Sequence, residues 1–355
     1  MTTEHIDVVI VGLGPAGASA AAEAALRGCK VVGIDRKREP GRPVQCAEFV
    51  PAMIGAEIDD LGACVLQPID AMATFVEDDT PDVKQRFPGF MLDRAAFDAT
   101  LVVAAEQAGA HCAFGSGVRS VGPDGRVELA DGRTIIAKVV VGADGPRSIV
   151  GRAIGQSNRQ LVETRQITVP LRRSHQATDI FLSADIPGGY GWLFPKGDVA
   201  NLGAGVDPAH KARLKNIVAR LHSGLVASGR VGPEILGLTG GPIPVGGVLR
   251  AWGTLGTTLV LLAGDAAGLA NPVTGAGIAA AVQSGRLAGE AAAEHVSGMR
   301  AAGADYEGEI ESVFKAALDR ALRRRAELAA LAGTGAPDKA ALRRSWIAYP
   351  QYWAA

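Results

Sequence analysis

The chain has 355 residues, 48% hydrophobic and 21% charged, with 46 glycines, a composition that suits a compact α/β protein of two lobes and excludes a disordered or fibrous one. Lys and Arg number 36 against 37 Asp and Glu, so no overall basic field draws in nucleic acid, and none is expected as a partner. Cys29, Cys46, Cys64 and Cys112 form no C-x-x-C pair, which argues against a metal site or a disulfide framework and fits a reducing cytoplasm.

Residues 6 to 34 read as one βαβ unit: the strand Ile6 to Val11, a glycine turn, the alanine-rich helix Ala16 to Arg27 stopped by Gly28, and the strand Lys30 to Ile34. The first ten residues lack a basic start followed by an apolar run, so no signal peptide is expected. Residues 36 to 64 carry Pro40, Gly41 and Pro43 without periodicity, which predicts a loop leading into a short helix, and loops of that size in a compact domain are usually functional. Met72 to Val76 and Val83 to Phe87 flank the turn residues Asp78 to Pro81 as a hairpin. Asp93 then caps a helix running to Gly109. Short strands near Val118, Val127 and Ile135 to Val141 follow, read as a meander beside the nucleotide sheet.

After Gly155, polar β-favouring segments at 166–172, 180–185, 191–194 and 199–206 predict an antiparallel second sheet, with a helix at Lys211 to Leu225. Thr258 to Ala263 reads as a buried strand of the first lobe, too short to cross a bilayer, and Gly275 to His295 as a small-residue helix. The tail from Ala304 is helical and basic, with seven Arg or Lys against two Asp or Glu between Arg320 and Arg344. That run is either a solvated helical face or a grip for an acidic partner or lipid headgroup, and Trp346, Tyr349, Tyr352 and Trp353 suit the second reading. The location expected is cytoplasmic, with attachment to the inner face of the membrane left open. The expected fold is α/β with an α+β second lobe. A Rossmann-type nucleotide-binding domain takes 1–68, 92–155 and 256–300, an inserted antiparallel-sheet substrate domain takes 69–91 and 156–255, and a helical C-terminal region takes 301–355.

Gly12-Leu13-Gly14-Pro15-Ala16-Gly17 follows a strand and opens a helix. In such a fingerprint the first glycine turns the chain, the second admits the pyrophosphate and the third allows close packing of helix on strand. Asp35 closes the second strand, where a carboxylate can accept ribose hydroxyls. This unit predicts a dinucleotide but does not separate FAD from NAD. The segment Leu261 to Ile278 supplies the difference, because a buried strand delivers Asp265 towards a ribityl chain and a glycine-rich turn with Gly275 and Gly277 starts a long helix. Tyr190, Trp192 and Phe194 alternate, so in a strand they share one face, either packing in a core or lining a cavity.

The fingerprint, Asp93-Arg94-Ala95-Ala96-Phe97-Asp98, Gly142-Ala143-Asp144-Gly145-Pro146-Arg147-Ser148 and the Asp265 segment together resemble the FAD-dependent superfamily of aromatic hydroxylases. Within it, the stretch from Gly188 to Gly197 (GGYGWLFPKG) is similar to the motif of the geranylgeranyl reductase family. The resemblance covers roughly residues 5 to 295 and implies FAD as cofactor. Pro15, Ala16, Asp35 and Arg36 would hold the adenosine end, Arg94 and the backbone near Val118 the middle, and Asp265, Gly275, Gly277 and Ile278 the ribityl chain and ring. Asp144 would lie near both FAD and a nicotinamide donor, unless it is simply an acid in a strand-to-helix turn. Cys46 and Ala47 would sit in a loop beside the flavin, the thiol either shuttling a proton or buried and inert, with Glu48 as an acid-base partner. Tyr190, Trp192 and Phe194 would line the substrate cavity, the first two within reach of the chemistry.

The implied activity is reduction of carbon-carbon double bonds of an isoprenoid or similar apolar substrate by hydride transfer from reduced flavin. Two alternatives stand beside it: an FAD-dependent monooxygenase acting on an aromatic molecule or a peptide side chain, and a non-catalytic flavin-binding maturation factor that grips a partner with its basic tail. The chain carries one dinucleotide fingerprint, so the electron donor is NAD(P)H bound transiently or a ferredoxin-like carrier.

Overall fold

Unbroken valine and isoleucine runs make the strands of the first sheet, because a parallel strand is covered on both faces and has no solvent side to alternate with. The computed structural model describes residues 3–56, 58, 61–332 and 335–354, so Glu57, Asp59 and Asp60 of the loop expected over 36–64 lie outside it. The chain runs β1 (Thr3–Val11), α1 (Pro15–Leu26), β2 (Val31–Asp35), β3 (Phe49–Pro51), β4 (Val65–Val76), β5 (Asp82–Leu92), α2 (Arg94–Gln107), β6 (His111–Phe114), β7 (Val118–Val121), β8 (Arg126–Leu129), β9 (Thr134–Gly142) and α3 (Ile149–Ala153). It continues through β10 (Leu161–Pro170), β11 (Ala177–Leu182), β12 (Gly191–Lys196), β13 (Val199–Val206), α4 (Leu214–Ala227), β14 (Gly237–Thr239), β15 (Pro242–Pro244), β16 (Trp252–Leu255) and β17 (Thr258–Leu262). The last elements are α5 (Ile278–Val296), α6 (Ala302–Ile310), α7 (Ala316–Ala332), α8 (Lys339–Arg344) and α9 (Pro350–Trp353).

The first sheet has the order β16-β17-β9-β1-β2-β6, with β8 also paired to β9 and β7 to β8. Its central strands are parallel, and Val8, Val9, Ile10, Val139, Val140 and Val141 are fully buried. β7, β8 and the start of β9 form the expected meander, but β9 continues inside the sheet between β1 and β17, as its unbroken Val139–Val141 run requires. The edge strand β6 was not foreseen, since four residues carry too little pattern to read.

Helices α1 and α5 pack side by side on this sheet through backbone. A Cβ on Gly285 would collide with Ala16 O, and one on Gly289 with Ala20 O.

The second sheet runs β14-β10-β13-β12-β11-β4-β5-β3, with β15 also on β10. It is antiparallel except for β4 against β11, and α4 covers one face around Leu193, Leu202, Ile217 and Val218. Sheet membership moves the expected domain limits. Residues 49–51 and 65–68 belong to the second sheet, and 252–255 to the first. The short helix foreseen before residue 64 is two 3-10 turns, Ala52–Ala56 and Gly62–Cys64.

Helix α6 passes through a π-helical turn at Glu311–Lys315 into α7. Phe314 and Leu318 bury in the first core, while Leu328 packs against the second sheet. The basic run is neither a solvated face nor free for an outside anion at most of its positions. Arg324 donates to Tyr352 O at 3.1 Å, Arg325 pairs with Asp207, Lys339 lies 2.6 Å from both Asp78 and Asp79, and Arg343 lies 2.7 Å from Asp79. Trp346 and Tyr352 are buried, whereas Arg323, Arg344 and Trp353 stay exposed. Among the described residues no helix is long and apolar enough to cross a membrane, and no His, Cys, Asp and Glu cluster could hold a metal.

Candidate active site

The glycine turn between β1 and α1 is shaped by what a side chain would hit. Gly12 has φ +91°, and a Cβ there would strike Ala143 O, while a Cβ on Gly17 would strike Gly12 O. At Gly14 a Cβ would meet nothing within 4 Å, because that residue faces a cavity. Gly14 is also the N-cap of α1 and offers no side chain to the first N–H groups, so these remain for a ligand. Asp35, at the end of β2, accepts from Leu13 N and Lys37 N, each at 2.8 Å, and so links the second strand to the glycine turn.

Just after β17, Asp265 lines the same cavity, and Gly264 before it sits beside Ala16 at the start of α1. Burial pushes the Asp265 pKa up to about 6, opposed by the nearby charge of Arg94. A Cβ on Gly277 would lie 3.4 Å from Asp265 Oδ1, and Gly277 is the N-cap of α5, again with no side-chain cap. Asn271 Oδ1 accepts from Val273 N and Thr274 N at 3.0 Å, and Gly275 takes φ +69° to complete the turn.

Arg94 lines the same cavity from the start of α2, where Asp93 caps the helix by accepting from Ala96 N at 3.0 Å. Its guanidinium pairs with buried Asp98 at 3.0 Å and also faces the Cys46 thiol. Burial opposes its charge, but Cys46 and Asp98 together hold its pKa above the ordinary arginine value.

The Cys46 loop is fixed from three strands. Gln166 Nε2 donates to Cys46 O at 3.0 Å, Asn201 Nδ2 to Ala47 O at 3.2 Å, and Thr239 Oγ1 to Val44 O at 2.8 Å. Glu48 N donates to Cys46 Sγ at 3.1 Å. The Glu48 carboxylate is buried and committed: Lys196 Nζ lies 2.7 Å and Asn201 Nδ2 2.8 Å from Oε2, and Arg94 N reaches Oε1 at 3.3 Å. Glu48 holds φ +70°, a left-handed conformation that its side-chain bonds offset.

Tyr190, just before β12, and Trp192 and Phe194 on it form the expected row, with ring centroids 5.7 and 6.4 Å apart. Trp192 Nε1 donates to Gln166 Oε1 at 3.0 Å, which connects the row to the Cys46 loop. Tyr190 OH donates to Thr274 O at 2.6 Å, and burial raises its pKa. Thr178 Oγ1 is buried on the same wall without a hydrogen-bond partner.

One cavity of about 690 Å³ runs from Gly12 and Asp35, past Arg94 and Cys46, to the aromatic row and on to Trp346 and Ile347. Every residue expected at the site lines it except Gly17, which packs α1 against the turn. Asp144 lines it by position only. Its carboxylate accepts from Ser148 Oγ at 2.5 Å and Ile149 N at 2.6 Å, at the start of α3. Sequence reasoning missed Gln166, Lys196, Asn201, Trp346 and Ile347. A polar Asn201 inside the apolar β13 run was a signal, since a buried amide needs partners.

Two uncapped helix N-termini on one cavity, one cradled by Gly14 and the other beside a buried carboxylate, fit FAD with its anionic pyrophosphate and hydroxyl-bearing ribityl chain. The protein is an FAD-dependent oxidoreductase. The family model described as geranylgeranyl reductase catalytic domain matches residues 162–229, and that of lycopene cyclase protein matches residues 7–166. Digeranylgeranylglycerophospholipid reductase 2 of Methanopyrus kandleri is 34% identical over 314 residues, covering 82% of this chain and 78% of its own. The crystal structure of a geranylgeranyl bacteriochlorophyll reductase-like protein from Thermoplasma acidophilum has a TM-score of 0.84 at 27% identity, over 99% of this chain and 98% of that one. A probable FAD-dependent monooxygenase from Pseudomonas aeruginosa shares the fold, with a TM-score of 0.72 at 19% identity over 96% and 98% of the two chains. The chain belongs to the geranylgeranyl reductase family.

Proposed function

We propose that the protein reduces carbon-carbon double bonds in the isoprenoid chains of a lipid, as the names of its relatives state for them. One observation carries the reading: the flavin groove opens directly into a chamber walled by Tyr190, Trp192, Phe194, Met72, Phe87 and Ile180. An apolar chain gains from leaving water for such walls, roughly 25 cal/mol per Å² of surface buried. Bound FAD, once reduced by NAD(P)H or a ferredoxin-like carrier, supplies the hydride.

The chain's own residues do the rest. The aromatic row orients the double bond and excludes water. Cys46 Sγ holds the proton for the second carbon, and Arg94 steadies the thiolate that is left. Glu48, Gln166 and Asn201 keep that sulfur in place. Tyr190 serves as wall rather than acid, because its proton is engaged by Thr274 O. A lipid-borne chain meets the chamber at a membrane surface, which is the location we assign.

The test is anaerobic. Prereduced holoprotein mixed with a geranylgeranyl lipid should reoxidise in step with loss of double bonds seen by mass spectrometry. Cys46→Ser should slow that step on the order of 100-fold while leaving reoxidation by a small quinone unchanged. Turnover that requires oxygen and yields a hydroxylated product would establish the monooxygenase instead, and a flavin that no donor reduces would point to the maturation factor.

A further inference from the structure

The chamber has one wall that does not come from the second sheet or the flavin lobe. Trp346 and Ile347, in the segment after α8, line the cavity. Trp346 is 3% exposed, its ring centroid lies 4.7 Å from that of Tyr190, and its Nε1 donates to Met72 Sδ at 3.3 Å. One indole thus spans from the aromatic row on β12 to β4 across the inner face of the sheet.

Contacts on both sides hold it there. Before it, Lys339 and Arg343 grip Asp78 and Asp79 at the β4–β5 turn. After it, Tyr349 OH donates to Asp82 at 2.7 Å, Trp353 Nε1 donates to Ile347 O at 3.0 Å, and Arg324 binds the carbonyls of Tyr352 and Ala354. The ring therefore cannot swing aside to admit a larger ligand without breaking a set of bonds at a distance.

We propose that Trp346 is the specificity-determining residue that sets the longest apolar chain the chamber accepts, a role that rests on the isoprenoid reading above. Trp346 lines the cavity, so shortening this one side chain adds volume directly against the ligand.

The test is a calorimetric titration of holoprotein with prenyl alcohols of increasing length, geraniol, farnesol and geranylgeraniol, followed by polyprenols longer by single isoprene units. Wild type should gain affinity with length up to a limit and then stop. Trp346→Ala should move that limit up by one isoprene unit and bind the first chain beyond the wild-type limit on the order of several hundred-fold tighter, with affinity for geraniol little changed. A general loosening of structure would weaken all lengths alike. Should Trp346→Ala fail to retain flavin, Trp346→Leu carries the comparison. An unchanged limit in a flavin-bearing variant overturns the assignment to Trp346. Wild type that binds no prenyl alcohol of any length overturns the isoprenoid reading itself, and the assignment with it.

Discussion

The two halves of the cavity are built by different means. Around the pyrophosphate end, glycines bring backbone against backbone: Gly12 lies on Ala143, Gly17 on Gly12, and Gly285 on Ala16. Around the chamber, side chains from separate strands bond to one another, with Trp192 on Gln166, Gln166 on the Cys46 loop, and Lys196 and Asn201 on Glu48. Backbone packing leaves no freedom for side-chain substitution. A side-chain network can be rebuilt residue by residue, provided every buried polar group keeps a partner.

The largest effect should come from challenging the backbone half. Gly285→Leu forces α5 off α1, and the purified protein should lack visible flavin absorbance and take up no FAD in titration. Retained flavin would show that the helix pair yields after all. The network half should fail more gently. Lys196→Ala leaves the Glu48 carboxylate buried without its cation and should cost about 3 kcal/mol in denaturant unfolding, while Lys196→Met combined with Glu48→Gln should recover most of it. A double variant no better than the single one would show that the pair does more than satisfy itself.

Asp265 tests the boundary between the halves by pH. Its folded-state pKa of about 6 lies above the ordinary 3.8, so the folded apoprotein prefers the protonated carboxyl. Its stabilising contribution is full below the ordinary value and is lost as pH rises through about 6. Apoprotein Asp265→Asn should therefore melt above wild type near neutral pH, with the gap closing below pH ~4, and should bind FAD more weakly. A gap independent of pH would remove the titration from the explanation. The smallest effect belongs to the exposed clamp of the tail. Lys339→Ala should lower the melting temperature only slightly, and added salt should reproduce that shift in wild type by screening the same pairs.

The sequence showed best what depends on neighbours along the chain. The βαβ unit, the hairpin, the Asp93 cap and the alternation of Tyr190, Trp192 and Phe194 are all local periodicities or capping signals, and each stands where it was expected. β3 and β6 escaped because three or four residues carry no period. The pairing of β9 with β1 escaped because the two strands lie more than a hundred residues apart. Gln166 and Asn201 escaped for a related reason: only the register of β10 on β13, with Thr168 opposite Asn201, brings both amides over the Cys46 loop. The charge count of the basic tail carries no information about the three aspartates around the β4–β5 turn that pair with Lys339 and Arg343.

The contact of α1 with α5 acts as a gauge block for the whole molecule. Both helices begin on the wall of the flavin groove, and glycine lets their main chains meet, Gly285 on Ala16 and Gly289 on Ala20. Changes among neighbouring core side chains shift packing around this pair without lengthening it. The distance between the places that receive the phosphates and the ring is thus insulated from drift elsewhere, and the chamber can be recut for a new substrate without resetting the grip on the cofactor.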